Sequence, residues 1–230
     1  MRWIIGACLM IASAGVMAAA AGSVTHLSGT LSAQRVDGSV RILSQKSEVF
    51  NGDTLTTQAN SFAQINFTDG SSVTIRPNSV MRIENYAFDA KNPKADGVVM
   101  RLVRGGLRSV TGLIGKRGNQ DAYKIQTTTA TIGIRGSTGD TMDCMQGCQG
   151  VTGSGGNLKP GVYHQTHNGI YIMETKGGSI LIGEKEFGFA DDSGKPPTKL
   201  PGNPGMGTEE LPFALGVGGG AGGAEECVVK

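Results

Sequence analysis

Aromatic residues are scarce in this chain, at 5 % of 230 positions with a single Trp. A packed interior must therefore lean on Val, Ile and Leu. The same scarcity argues against nucleic-acid binding, because bases need aromatic faces to stack on and none interleave with the cations. Charge is nearly balanced, with a formal net of +2. That gives no global attraction to nucleic acid or to an anionic membrane. Catalytic signatures are missing too. There is no Gly-x-Ser-x-Gly elbow, no His-Glu-x-x-His and no phosphate-cradling loop with a Lys. No nucleophile stands beside a base in the central stretch, so the expectation is a protein that is not an enzyme and needs no cofactor. The one long apolar run, residues 3–16, is shorter than the ~20 residues that span a bilayer.

Glycine is abundant, at 37 residues, about twice the usual share. With Thr, Ser and Val in short runs it predicts many tight turns and an all-β chain. The expected architecture is a short-strand β-sandwich or a β-roll, solenoid-like form. Residues 51–88 organise it. Ile65 and Phe67 alternate with Gln64, Asn66 and Thr68, so one face can be buried. Asp69-Gly70 then predicts a hairpin into Val73-Thr74-Ile75. Pro77 removes a ladder donor and closes that strand. Further strands are expected over residues 98–103, 107–113, 123–127, 161–165, 169–174 and 178–182, with breaks at Arg104-Gly105-Gly106 and after Gly136. Lys176-Gly177-Gly178 reads as a second hairpin turn.

Motifs within the central stretch resemble the FecR-like domain family. They are Gly52-Asp53-Thr54-Leu55-Thr56-Thr57, Phe67-Thr68-Asp69-Gly70-Ser71, Pro77-Asn78-Ser79 and Ile83-Glu84. A second block carries Val103-Arg104-Gly105-Gly106-Leu107-Arg108 and Thr131-Ile132-Gly133-Ile134-Arg135-Gly136-Ser137. The resemblance covers roughly residues 45–140. It departs at Gly136-Ser137, where the family has Gly-Thr. It implies a structural role for Gly52, Asp53, Asp69, Gly70, Pro77, Gly133 and Gly136. It also implies a periplasmic module. The family's signalling members relay the state of an outer-membrane receptor to a sigma factor. The relay itself is not expected here, because the apolar run begins at Trp3 and leaves no room before it for an anti-sigma segment.

The chain is expected to divide into a signal peptide at 1–22, a FecR-like all-β domain at 23–191 and a Gly/Pro-rich disordered tail at 192–230. Met1-Arg2, the apolar run and the small residues 17–22 fit a secretory leader cut between Ala18 and Gly22. A retained anchor and a lipoprotein site at Cys8 are the competing readings. A cleaved leader puts the mature chain in the periplasm or medium, not spanning the membrane.

Cys144 and Cys148 precede His164 and His167, an order that raises structural zinc. An oxidising compartment favours a Cys144–Cys148 disulfide instead, with neither as the third option. Cys227 is left over. Asp140 and Asp143 raise calcium, but their spacing fits no calcium loop.

Cations gather at Arg101, Arg104, Arg108, Lys116, Arg117 and Lys124, with only Asp121 opposing them nearby in sequence. Arg135 is a further contact candidate. Such a segment could hold an envelope polysaccharide through charge-assisted hydrogen bonds, or serve simply as a solvated face. The functional expectation is a non-catalytic envelope recognition or signalling-accessory module, with an envelope protein as partner. The alternative is a polyanion- or glycan-binding protein using residues 101–124.

Overall fold

A computed structural model describes residues 19–119, 121–149, 151, 158–207 and 211. Leader residues 1–18, Cys8 among them, lie outside these, as do Cys227 and most of the expected tail. The described chain folds into β1 (Ala20–Ser28), β2 (Leu31–Gln34), β3 (Val40–Leu43), β4 (Glu48–Phe50), β5 (Thr54–Thr57), β6 (Phe62–Phe67), β7 (Ser72–Ile75) and β8 (Val80–Ala87). A 3-10 turn at Pro93–Ala95 follows, then β9 (Gly97–Val110), β10 (Tyr123–Gln126), β11 (Thr131–Asp143), β12 (Val162–Thr175), β13 (Gly178–Ile182), β14 (Phe187–Ala190) and β15 (Thr198–Leu200). No α-helix forms among the described residues. The all-β expectation holds.

The hairpin read from Asp69-Gly70 forms as expected, joining β6 to β7. Its cause is local. Asp69 Oδ1 accepts from the Ser71 N–H at 3.1 Å and the Ser71 hydroxyl at 2.6 Å. Gly70 supplies φ +80°, which a side chain would resist. Asp69 also reaches outward. Its Oδ2 accepts from the Ile114 N–H at 3.2 Å, and the Tyr86 hydroxyl receives the Asp69 N–H at 2.8 Å.

All fifteen strands belong to one hydrogen-bonded sheet, but it folds back on itself along three long strands. The front half of β9 pairs with β8 and, in parallel, with β10. Its rear half pairs with β7 and directly with β11. β11 and β12 divide the same way. One array runs β3-β2-β5-β8-β9-β10-β11-β12-β13. The other runs β4-β1-β6-β7-β9-β11-β12-β14-β15. β10 is a wedge present in the first array only, so β9 and β11 must splay there and meet beyond it. The bends fall at Gly105 (φ +85°), Gly136 (φ +69°) and Gly169 (φ +82°).

The strands are therefore longer than expected. Gly105 and Gly169 do not end strands; each turns a continuous one, and residues 161–165 and 169–174 are two limbs of β12. Ordered strand continues past residue 192. Thr198–Leu200 extends the second array against β14, and Met206 is buried.

The main core lies between the arrays. Leu55, Met81, Ile83, Met100, Tyr123, Ile125, Ile132 and Tyr171 come from one side, and Val24, Ile65, Val73, Ile75 and Leu107 from the other. The Phe67 and Tyr86 rings meet across the gap with centroids 5.3 Å apart. Each fully buried aliphatic side chain contributes about 1.5–3 kcal/mol. A second, smaller cluster gathers Met142, Cys144, Cys148, Val151, Tyr163, Phe187 and Met206.

Candidate functional site

Asp140 on β11 has two arginines and a histidine as partners. Register places it opposite Arg108 on β9 and Gln165 on β12. Arg108 forks onto it, Nε to Oδ1 at 2.7 Å and Nη2 to Oδ2 at 2.8 Å. Arg76, just past β7, gives Nη2 to Oδ2 at 3.1 Å, and His167 Nε2 lies 2.9 Å from the same oxygen. Asp140 and Arg76 are each only 2 % exposed at the side chain. Burial pushes the Asp140 carboxyl up. The hydrogen bonds from Arg108 and His167, with the charges of Arg76 and Arg108, outweigh that and hold it far below the ordinary carboxylate range.

A disulfide follows Asp140 along the chain. Cys144 and Cys148 form a disulfide with Cα atoms 4.9 Å apart, within the usual span. A Cβ on Gly106 would fall 2.9 Å from Arg76 Cδ and 3.3 Å from Val151. Arg76 and Val151 therefore flank the same glycine. Asp143 spends its carboxylate locally, on the Met145 and Thr128 N–H groups. These contacts leave neither the zinc nor the calcium reading its ligands. No group of three or more candidate metal ligands occurs among the described residues.

His164 faces the main core. Its ring stacks on Tyr171 with centroids 4.2 Å apart, and Nδ1 lies 3.0 Å from the Thr141 hydroxyl. Burial drives its pKa from 6.5 down to about 3, so the ring is neutral. Burial likewise raises the Tyr171 hydroxyl. A hydroxyl beside an imidazole is the geometry of an activated nucleophile. Here both residues are fully buried, so no substrate reaches them.

The basic residues do not form one patch. Arg108 is consumed by Asp140. Arg117 is held by Asp96 at 3.0 Å, by the Asp89 and Ala90 carbonyls, and by the Phe88 ring, 4.9 Å from its guanidinium. Arg101 pairs with Glu84 and Gln126. Arg135 is exposed, 3.6 Å from Asp121. Arg104 and Lys116 are exposed on β9 and in the loop after it. Sequence proximity pointed to Asp121 as the sole opposing charge. Glu84, Asp96 and Asp140 join it because sheet register imports carboxylates from distant segments.

One open groove of about 510 Å³ does unite two of the predicted cations. Arg101 and Lys124 share it with Lys176, Glu174 and the turn at residues 127–130. Lys176 went unnoticed in the sequence because its partners lie on other strands.

The glycine and aspartate motif residues sit in turns, an ion pair and close packing. Gly52 takes φ +84°. Asp53 pairs with Arg41 at 2.9 Å and accepts the Phe50 N–H. Pro77 follows the end of β7. A Cβ on Gly133 would strike Ile172 at 2.5 Å.

The family model described as FecR protein matches residues 53–147. Residues 53–147 are a FecR domain. They comprise β5 to β11, with Arg76, Arg108 and Asp140, while His167 comes from β12 beyond the match. Two crystal structures of a protein assigned as an anti-sigma factor from Parabacteroides distasonis are similar at 10 % identity. Their TM-scores are 0.46 and 0.47, over 65 % of this chain and 60 % of theirs. The chain thus spans less than two thirds of that protein. A cell surface anchoring domain is similar at 32 % identity over 27 % of this chain and 82 % of its own, with a TM-score of 0.27. No curated protein matches.

Proposed function

We propose that this chain is an exported, non-catalytic recognition module that acts as an accessory to envelope signalling. The FecR domain at residues 53–147 carries the reading. The chemistry of the site supports it. Asp140 is paired with Arg76, Arg108 and His167, and the hydroxyl–imidazole pair is sealed in the core. Groups held in this way suit a rigid recognition surface. A Cys144–Cys148 disulfide suits an oxidising compartment. The leader-like run at residues 3–16 suits export, and no helix among the described residues is long and apolar enough to cross a membrane.

An envelope protein is the partner this reading implies, met through a sheet edge or through the segment after Ser193. Strand addition at β3 is one such mode, since among the described residues β3 pairs only with β2. The test is cell fractionation followed by crosslinking pull-down from intact cells, with and without residues 193–230. Recovery in the periplasm or medium with one envelope protein enriched is the expected result. A cytosolic chain with its first twenty residues intact sinks the proposal.

A further inference from the structure

We infer that the groove at the β10–β11 turn binds an acidic oligosaccharide, with Lys124 and Lys176 as the cations that hold its carboxylates. The inference rests on the recognition reading above and gives it a ligand class. Three cations line the groove from three places in the fold: Arg101 on β9, Lys124 on β10 and Lys176 in the β12–β13 turn. One carboxylate, Glu174, faces them. Arg101 already directs Nε and Nη2 toward Glu84 and Gln126, so the two lysines carry the uncommitted charge.

The floor is made of hydroxyls. Thr127 spends its own on the turn, donating to the Ala130 carbonyl at 2.7 Å, and Thr175 donates to Lys195 at 2.8 Å. Thr128 and Thr131 remain along the lining. The Thr129 hydroxyl is shut off from solvent and has no hydrogen-bond partner among the described residues, so it offers the ligand nothing.

The chemistry of the lining selects among anions. None of the described lining residues is aromatic, so stacked bases have no platform. For the same reason a neutral sugar has no ring to lie on. Charge must supply the affinity, and the threonines match a hydroxyl-rich partner. Carboxylate-bearing sugars offer both groups along an extended chain, which suits an open groove more than a closed pocket.

The test uses purified full chain and isothermal titration with oligogalacturonate, its methyl ester and single-stranded DNA. The acid form binds, the ester does not, and added salt weakens binding steeply. Lys124→Glu with Lys176→Glu lowers affinity roughly a hundredfold, about tenfold per charge-assisted contact. Lys124→Gln with Lys176→Gln, which disturbs the fold less, gives a smaller loss in the same direction. Arg104→Glu, outside the groove, leaves affinity unchanged. Equal binding of acid and ester overturns the inference. So does tighter binding of DNA, an unchanged affinity in both lysine pairs, or no binding at low salt. Because purified protein is used, failure here is separate from failure to find an exported chain or an envelope partner.

Discussion

Mild acid should weaken this domain through a single imidazole. His164 is neutral in the fold because burial lowers its pKa from 6.5 to about 3. In the unfolded chain the ring protonates near 6.5. The folded state thus binds fewer protons between those values. Stability from this residue is whole above pH 6.5 and is lost as pH falls toward 3. At pH 4.5 the gap is about two pH units below the unfolded value, or about 3 kcal/mol at 1.36 kcal/mol per unit. Asp140 does not interfere in that window. Its folded pKa is depressed, so its contribution is present above the ordinary carboxylate value near 3.9 and fades only below it. The groups around His164 are Thr141, Tyr171, Asp140 and His167. The perturbation is His164→Asn, which keeps a polar partner for Thr141. Urea unfolding at pH 7 and pH 4.5 reads the result. The parent loses about 3 kcal/mol more than the variant over that interval, whatever the variant loses at pH 7. Equal losses in both proteins would refute the burial argument.

Asp140→Asn removes the negative charge facing the buried Arg76 and Arg108 and should cost about 3–5 kcal/mol in chemical denaturation; a loss below about 1 kcal/mol would show that this charge is not what holds the arginines in place. Gly105→Ala should cost about 2–4 kcal/mol, since φ is +85° and the new Cβ would lie 2.7 Å from Ser79 Cα. Neutral thermal melts would contradict the corner role. Ala20 pairs with Phe50, and Ala21 is only 3 % exposed. A leader cut between Ala18 and Ala20 keeps β1 whole, so intact mass of the exported protein should give a start at Ala19 or Ala20. A start at Ser23 would mean that β1 forms without its first three residues.

Turn chemistry was readable because it is local. Asp69 caps its own hairpin within two residues, so that motif announces itself. Gly177 and Gly178 between two apolar alternations do the same. The corners were misread for a related reason. A left-handed glycine looks alike in sequence whether it ends a strand or bends one. Only the pairing partners of β9, β11 and β12 tell the two apart. The ionic cluster was illegible because Arg76 and Asp140 lie 64 positions apart. Nothing near either residue specifies the register that joins them. The disulfide stood among the options because four positions of separation and an apolar leader can be read together. The dispersal of the basic segment could not be read, since its counter-charges arrive from other strands.

The three bent strands carry a mechanical consequence. In a sandwich whose layers touch only through side chains, the layers can shear or part while each stays folded. Here β9, β11 and β12 are covalent members of both layers, so parting them means tearing ladders on both sides at once. A pull on one rim therefore arrives undiminished at the other, and the domain behaves as a stiff link, yielding all together or not at all.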